Sequence, residues 1–453
     1  MQYVSDVREF LEKLGYTVLI TKSQKDLIYL WKEWYKGKVD NFHNYYVYNG
    51  VTKVCMEKKS LGMPKKACED WADLILNERV KINVDEHQDL IDGVLKDNKF
   101  VTKSNELVEK TFALGTGAFV EYTNPSKKNG VSINYINAEM IFPLRMVDGE
   151  VVDVAFASEI SPNKYYVNIH TLMNDGKYKI ENIIFNSEKD EFSIEELPEG
   201  VQRIVKSDVP LFQLVKPNSV NNSDINNSMG LSVFANAIDE AKDVDEKFDS
   251  YHNEFKLGKK RIFIDPSLMN SAIVNEKGDV KTSPVFDTND TTFYALPFED
   301  SAKEKLKQTD FNLRVQEHSQ ALQDALSLFG FKVGFFNNFY TFKDGEVYTN
   351  TTNIIASNSK MFRRLKKHEL IFDDALKNMV IAIIHLKSGI VFDGEIKIDF
   401  DDSIIEDKEA ERQQYKEEVA MGTMGAVEYR MRVYNEDEET AKKMIPVKAD
   451  VMP

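Results

Sequence analysis

The longest uninterrupted helical pattern lies in the middle of the chain and constrains the fold more than any other stretch. No proline or glycine occurs from Leu231 to Leu257, and apolar residues recur there mostly at steps of three and four. Acidic residues fill most of the other positions, and Ser228 is placed to cap the first turn. The pattern predicts a helix roughly 40 Å long, with one apolar stripe and an acidic remainder, as is typical of a surface helix on a globular core.

The segments before this helix predict helices first and an antiparallel sheet afterwards. Residues 1–115 show amphipathic helical patterns, and Trp31, Trp34 and Trp71 are placed as core residues. From Gly117 the pattern changes to short strands with no alternation of strand and helix. Hairpin turns are indicated by Asn129-Gly130, Asp148-Gly149 and Asp175-Gly176.

The segments after the helix differ in composition. Gly258–Asp310 is short and rich in turn residues, and Phe311–Gly330 predicts a second helix that ends at its glycine. Phe331–Asn350 is dense in Phe, Asn and Gly and has no regular period. A third helix is predicted at about Thr352–Lys387, and an acidic tail begins at Asp393.

Charge and composition exclude several classes of protein. The 453-residue chain carries a formal charge of −16 and no overall basic character, which argues against a repressor or another protein that reads DNA sequence. An acidic wall does not exclude a protein past which DNA slides, because it repels phosphates. The two cysteines suit a reducing compartment. No signal peptide is expected, and the longest apolar run, Met379–Leu386, is too short for a membrane span.

No sequence motif calls for catalysis, and we expect no catalytic site, metal site or cofactor. Walker A, H-E-x-x-H, C-x-x-C and G-x-S-x-G motifs are all absent. Acidic pairs such as Asp373-Asp374 could bind a divalent ion, but no third ligand stands at a fixed spacing. Solvated charge is the better interpretation, and the sequence predicts a protein that is not an enzyme.

Three stretches of the central region resemble one known family. They read "PLFQLVKPN", "MGLSVFANAIDEAKDVDEKFDS" and "EFKLGKKRIFI". They closely resemble the centre of portal proteins of tailed bacteriophages, of the type found in phages of Gram-positive bacteria. The strand segments after Gly117 also resemble the wing sheet of that family. The resemblance implies an α+β portal fold with a helical stem, a mixed α/β wing containing an antiparallel sheet, a small clip and a helical crown.

The resemblance also implies a division of the chain. The wing takes residues 1–228, 229–257 form the first stem helix, 258–310 the clip and 311–330 the second stem helix. The tunnel loop is 331–350, the long wing helix and a return strand occupy 351–400, and the crown takes 401–453.

The function implied by the resemblance is that of a head–tail connector. Twelve copies form a ring at one capsid vertex, which is the channel for packaging and ejecting double-stranded DNA without reading its sequence. The implied partners are the large terminase subunit, the head–tail adaptor, the major capsid protein and the scaffolding protein, with no membrane. The protein is expected in the virion after synthesis in the cytoplasm of the host bacterium. The alternative is a minor capsid or adaptor protein at the vertex without a channel role.

Two sets of residues are candidates for the channel and the subunit interface. Lys256, Lys259, Lys260 and Arg261 would form a basic band at the junction of stem and clip and contact phosphates without reading bases. The alternative is a solvated basic turn or a partner of the helix dipole. The stem-helix face that bears Phe234, Ile238, Phe248 and Phe255 is expected to pack between subunits or against the second stem helix.

The aromatic segment Phe331–Asn350 supplies the third candidate set. As a tunnel loop it would pack Phe335, Phe336 and Phe339 on the same loop of the next subunit. Its polar residues Asn337, Asn338 and Lys343 would then face the DNA. The alternative is a loop packed against the wing core of its own subunit.

Overall fold

A computed structural model of the chain describes residues 2–48, 52–76, 80–188, 191–225, 227–259, 261–265, 270–274, 280–284, 293–295, 306–309, 312–341, 351–400, 408–434 and 438–444. Its α-helices are α1 (Gln2–Lys13), α2 (Lys22–Tyr35), α3 (Asp40–His43), α4 (Met63–Ile75), α5 (Gln88–Asp97), α6 (Phe100–Leu114), α7 (Ile238–Leu257), α8 (Val315–Val333), α9 (Thr351–Ser388), α10 (Lys408–Met421), α11 (Ala426–Tyr434) and α12 (Glu438–Lys443).

The strands form several separate sheets. They are β1 (Asn44–Tyr48), β2 (Lys53–Glu57), β3 (Lys81–Val84), β4 (Gly117–Thr123), β5 (Val131–Asn137), β6 (Ile141–Val147), β7 (Glu150–Ser161), β8 (Lys164–Leu172), β9 (Tyr178–Glu188), β10 (Glu191–Glu195), β11 (Ile204–Ser207), β12 (Phe212–Val215), β13 (Arg261–Ile264), β14 (Asn270–Val274), β15 (Val280–Pro284), β16 (Phe293–Ala295), β17 (Leu306–Thr309) and β18 (Ile396–Asp399).

The largest sheet confirms the predicted antiparallel region. Strands β6 to β10 pair in sequence order, and β11 also pairs with β9. Strands β12, β4 and β5 form a smaller antiparallel sheet that packs between α6 and α9. The turn at Asp148-Gly149 has positive φ at both residues, the backbone that the sequence signal predicts. This mixture of helices and antiparallel sheets is the α+β fold predicted from the sequence.

One main apolar core joins the N-terminal helices to the two sheets and to α7, α8 and α9. Trp31, Trp34 and Trp71 are fully buried in it, as predicted. The N-terminal region is less helical than the sequence indicated. Strands β1 and β2 form a hairpin, and β3 pairs with β18 from the other end of the chain. Pairing over such a distance leaves no local sequence signal.

The long central helix begins later than predicted. Residues 229–234 are not helical, a 3₁₀ turn follows at Ala235–Ala237, and α7 starts at Ile238. The segment instead bonds to the end of α6, because the Val233 amide donates to the Phe112 carbonyl at 2.9 Å. The Gly230 amide donates to Thr116 Oγ1 at 2.9 Å. Ser228 therefore caps no helix, and the predicted boundary at Met229 is wrong.

The second predicted helix also lies further along the chain than predicted. Helix α8 begins at Val315 and continues through Gly330 to Val333, so Gly330 is not its end. The C-terminal cap is Gly334, whose φ of 109° is in the region that favours glycine. The predicted loop at Phe331–Asn350 consequently begins after α8, and its residues 342–350 lie outside the described ranges.

Candidate functional site

Helices α7 and α8 form an antiparallel pair. At one end Glu254 of α7 accepts a hydrogen bond from Arg314 Nη2 at 2.9 Å. At the other end of the pair, Lys332 Nζ of α8 lies 3.5 Å from Glu240 Oε1 of α7. The last turn of α7 therefore lies beside the start of α8, and the whole β-strand segment between them leaves and returns at this one end.

Glu254 concentrates the electrostatic contacts of that junction. Its carboxylate also accepts the backbone amide of Arg314 at 3.1 Å and lies 3.4 Å from His318 Nε2. Hydrogen bonds from the Arg314 side chain and amide lower the pKa of Glu254 to about 2. The His318 ring stacks on Tyr251, with ring centroids 5.9 Å apart. These contacts fix the position of the junction in one subunit.

The opposite side of α7 is tied to the N-terminal region through a buried carboxylate. Asp245 Oδ1 accepts the amide of Leu61 at 2.8 Å, and Oδ2 accepts the hydroxyl of Ser60 at 2.9 Å. His43 Nε2 lies 3.0 Å from the same Oδ2. Because the Val39 amide donates to His43 Nδ1 at 2.9 Å, the proton of the neutral ring is on Nε2, which donates to Asp245.

Two further acidic residues of α7 bind the same segment. Glu246 accepts a hydrogen bond from Lys58 Nζ at 2.9 Å, and Asp249 accepts the amide of Lys59 at 3.0 Å. Part of the acidic side of α7 is thus used inside the subunit. This role of the acidic residues was not predicted from the sequence. A signal exists, because Asp245 stands four residues after Ala241 and three before Phe248, on the apolar face.

The predicted basic band is only partly described. Lys256 and Lys259 are exposed near the end of α7, and Arg261 at the start of β13 is half-buried. Lys260 lies outside the described residues. The described members therefore stand close together along the chain at the end of the α7–α8 pair.

The predicted interface residues of α7 divide into three cases. Phe234 is 0 % exposed and packs in the core of its own subunit, which leaves no part of its side chain for a contact between subunits. Ile238 and Phe248 are half-buried against the same core. Phe255 remains 45 % exposed, with its ring edge against Tyr251. Of these four residues, Phe255 alone has a largely exposed apolar side chain.

The segment after α8 folds back on its own subunit. Phe335 is 3 % exposed and stacks between Trp71 and Phe339, with centroid distances of 4.9 and 4.2 Å. Tyr340 donates its hydroxyl to Asp70 at 3.0 Å. The prediction that Phe335 packs on the next subunit is therefore wrong, because its ring fills the space beside Trp71. Phe336 and Phe339 are half-buried next to it.

The polar residues of this segment are at its exposed turn. Asn337 and Asn338 are exposed, and Asn338 Oδ1 accepts the hydroxyl of Ser327 at 2.7 Å. Asn338 has a φ of 65°, a conformation that asparagine tolerates better than most residues. Lys343 lies outside the described residues. The described part of the segment thus combines a buried aromatic base with an exposed asparagine turn.

The described ranges contain no group of three or more His, Cys, Asp or Glu residues placed to hold a metal ion. Within the same ranges, no helix combines the length and apolarity needed to cross a membrane.

Comparison with known proteins identifies one family. The family model "Phage portal protein, SPP1 Gp6-like" matches residues 19–444. None of the curated proteins matches the chain.

Among solved structures, the virion of a native gene transfer agent particle contains a chain with 11 % identity and a TM-score of 0.43, which covers 95 % of this chain and 99 % of that one. The neck of the native particle, computed with C12 symmetry, gives 13 % identity and a TM-score of 0.41, with 82 % and 90 % covered. The neck of the empty particle, computed with C6 symmetry, gives 12 % and 0.40, with 82 % and 88 % covered. These likenesses are too distant to carry an argument, so the assignment depends on the family match.

Proposed function

Because the chain belongs to the SPP1 Gp6-like family of phage portal proteins, we propose that its copies form a twelve-membered ring at one capsid vertex. The ring is the channel through which double-stranded DNA is packaged and ejected. The protein acts as a structural component of the virion and not as an enzyme. It is synthesised in the cytoplasm of the host bacterium.

The observation that carries the proposal is the α7–α8 pair. Its two helices are antiparallel, tied at one end by Glu254 and Arg314, and the strand-rich segment from β13 to β17 is inserted at that end. A portal stem requires two helices that run along the channel and a separate clip that protrudes at one end. We assign α7 and α8 to the stem and the inserted strands to the clip.

The charge distribution supports a channel that does not retain DNA. On α7, Asp239 is exposed and Asp243 is half-exposed, and acidic side chains at such positions repel phosphates. Lys256, Lys259 and Arg261 supply a localised basic band at the end of the pair. Contacts between a few lysines and phosphates are weak at physiological salt and independent of base sequence, as the passage of a genome requires.

The inserted strands are the proposed platform for the partners. We assign to them the contacts with the large terminase subunit during packaging and with the head–tail adaptor afterwards. The remaining part of the subunit would contact the major capsid and scaffolding proteins. The exposed turn at Asn337 and Asn338 is retained as the part of the tunnel loop that faces DNA, with Phe335 as its buried base.

Electron micrographs of the purified protein, classified by rotational symmetry, test the proposal. A closed ring with an axial hole is expected, with twelve-fold symmetry. A species that stays monomeric or of low order at micromolar concentration would contradict the proposal and favour an adaptor at the vertex.

A further inference from the structure

The hairpin formed by β1 and β2 is held at its base by helix α7, through the residues before β1 and after β2. His43, directly before β1, donates to Asp245, and the Lys58 amide after β2 donates to the His43 carbonyl at 2.8 Å. The next residues, Lys58 to Leu61, are bonded to acidic side chains of α7. The base of the hairpin is therefore fixed on the same helix that we assign to the stem.

One face of this hairpin is largely exposed in the described part of the chain. The register places Tyr46 opposite Cys55 and Tyr48 opposite Lys53 on that face. Tyr46 is 71 % exposed, Tyr48 is 65 % exposed, and Cys55 is also exposed. The other face holds Tyr45 opposite Met56, which are both half-buried, and Val47 opposite Val54, which are 44 % and 38 % exposed. We call the first face, with Tyr46, Tyr48, Lys53 and Cys55, the tyrosine face.

A hairpin whose exposed face carries tyrosines is expected to have low stability in water. A two-stranded hairpin alone is marginally stable, and a third strand or a packed face is normally needed. Among the described residues, neither β1 nor β2 pairs with a further strand. Tyrosine is enriched where protein surfaces meet, because its ring is apolar and its hydroxyl keeps a polar contact. These features indicate a surface that is covered in the assembled protein.

Charge indicates that the covering surface is acidic. Residues 36–59 contain five lysines and two acidic residues, whereas the whole chain carries −16. A second copy of the chain is therefore an electrostatically complementary partner for this region. DNA is also acidic, but two of the lysines already have carboxylate neighbours. Lys58 Nζ is 2.9 Å from Glu246 Oε1, and Lys38 Nζ is 3.8 Å from Glu57 Oε1.

The hairpin is long enough to contact a neighbouring subunit. Each strand has five residues, and at about 3.4 Å per residue the hairpin extends about 17 Å from its base. Packed helices lie about 8–10 Å apart. A hairpin that begins on α7 is thus long enough to reach past the stem helix of an adjacent copy.

We propose that the tyrosine face docks on the neighbouring copy of this chain and forms part of the contact that closes the ring. The inference rests on the proposed ring. It adds a specific interface that is distinct from the basic band and from the clip. In a head-to-tail ring each subunit offers this face once and receives it once.

The native cysteines supply a first test without any mutation. Cys55 is exposed on the tyrosine face, whereas Cys68 is buried. Ring and subunit fractions, separated by size, are treated with a maleimide, and the modified peptide is followed by mass spectrometry. In the ring, Cys55 should react about tenfold or more slowly than in the subunit, because thiol reactivity follows exposure. Equal rates in the two fractions would overturn the proposal, as would protection that appears only after DNA is added.

Matched substitutions supply the second test. Tyr46→Asp places a charge on the tyrosine face, and Tyr122→Asp makes the same change on an exposed tyrosine of β4. Mass photometry should show that Tyr46→Asp raises the concentration for half-dissociation of the ring by about tenfold or more, as expected for an aromatic anchor. The control should assemble like the wild type. Normal rings from Tyr46→Asp would reject the interface while leaving the ring intact, whereas a wild type without rings would reject the proposed function itself.

Discussion

The buried carboxylate of Asp245 is predicted to hold helix α7 to the N-terminal region, and Asp245→Asn tests this. The carboxylate accepts three hydrogen bonds, from His43, Ser60 and the amide of Leu61. An asparagine has the same shape, but its single oxygen can accept from two of these donors at most, and its NH₂ group then faces the third.

The expected loss of stability can be worked out from the three hydrogen bonds. Hydrogen bonds to a charged group contribute roughly 1.5–3 kcal/mol each and neutral ones roughly 1 kcal/mol, while a buried donor without an acceptor costs roughly 1–3 kcal/mol. Because the three bonds share one group, they are not additive. We therefore expect Asp245→Asn to destabilise the local contact by about 2–4 kcal/mol.

Amide hydrogen exchange measures this locally. The Leu61 amide is itself one of the three donors, so its exchange reports the opening of the contact. A cost of about 2–4 kcal/mol corresponds to an opening constant about 30- to 1000-fold larger. The control is Asp243→Asn, because Asp243 is a half-exposed neighbour that pairs with Lys247 and should change stability by less than about 0.5 kcal/mol. If Leu61 exchanges within threefold of the wild type in Asp245→Asn, the contact does not hold α7 and this reasoning is wrong.

Three more predictions concern the core. Glu121 is buried, neither of its carboxylate oxygens has a hydrogen-bond partner among the described residues, and burial raises its pKa to about 8. Its stability contribution is therefore complete at acidic pH and is lost as the pH rises from about 4.5 to 8, so Glu121→Gln should raise the melting temperature at pH 8.5 and little at pH 5. Gly230→Ala should impair folding, because a Cβ there would lie 2.1 Å from the Gly115 carbonyl oxygen, whereas Gly425→Ala meets nothing within 4 Å and should melt like the wild type. Phe335→Ala should lower the free energy of unfolding, measured with denaturant, by about 3–5 kcal/mol. The control Phe331→Ala changes an exposed residue and should lower it by less than about 0.5 kcal/mol. Similar values for the two variants would contradict the buried base of the loop.

Short-range signals in the sequence predicted much of the fold. Turn dipeptides such as Asp148-Gly149 identified the antiparallel sheet, because they require a backbone that few other residues adopt. The apolar stripe of α7 was predicted correctly from Ile238 onward. Its start was not, because Leu231 and Phe234 continue the periodicity, whereas the backbone between them is not helical and the Val233 amide donates to Phe112 of α6. A periodic pattern predicts which side chains are buried, but it does not predict which acceptors the backbone amides bond to.

The candidate site was less predictable for the same reason. Phe335 was predicted to be a packed residue, but only the tertiary structure shows that it packs on Trp71 of its own subunit. The contacts of Asp245 join residues almost two hundred positions apart, and the pairing of β3 with β18 spans more than three hundred. Such contacts have no local pattern in a single sequence.

The position of the α7–α8 pair in the assembled particle tests the central claim most directly. A cryo-electron microscopy map of the ring, at a resolution that traces helices, shows which elements surround the axis. We expect α7 and α8 from every copy to line the axial hole, with Lys256 and Lys259 forming a band near the end where the inserted strands protrude. A ring with this pair on its outer surface, or a ring without an axial hole, would contradict the account.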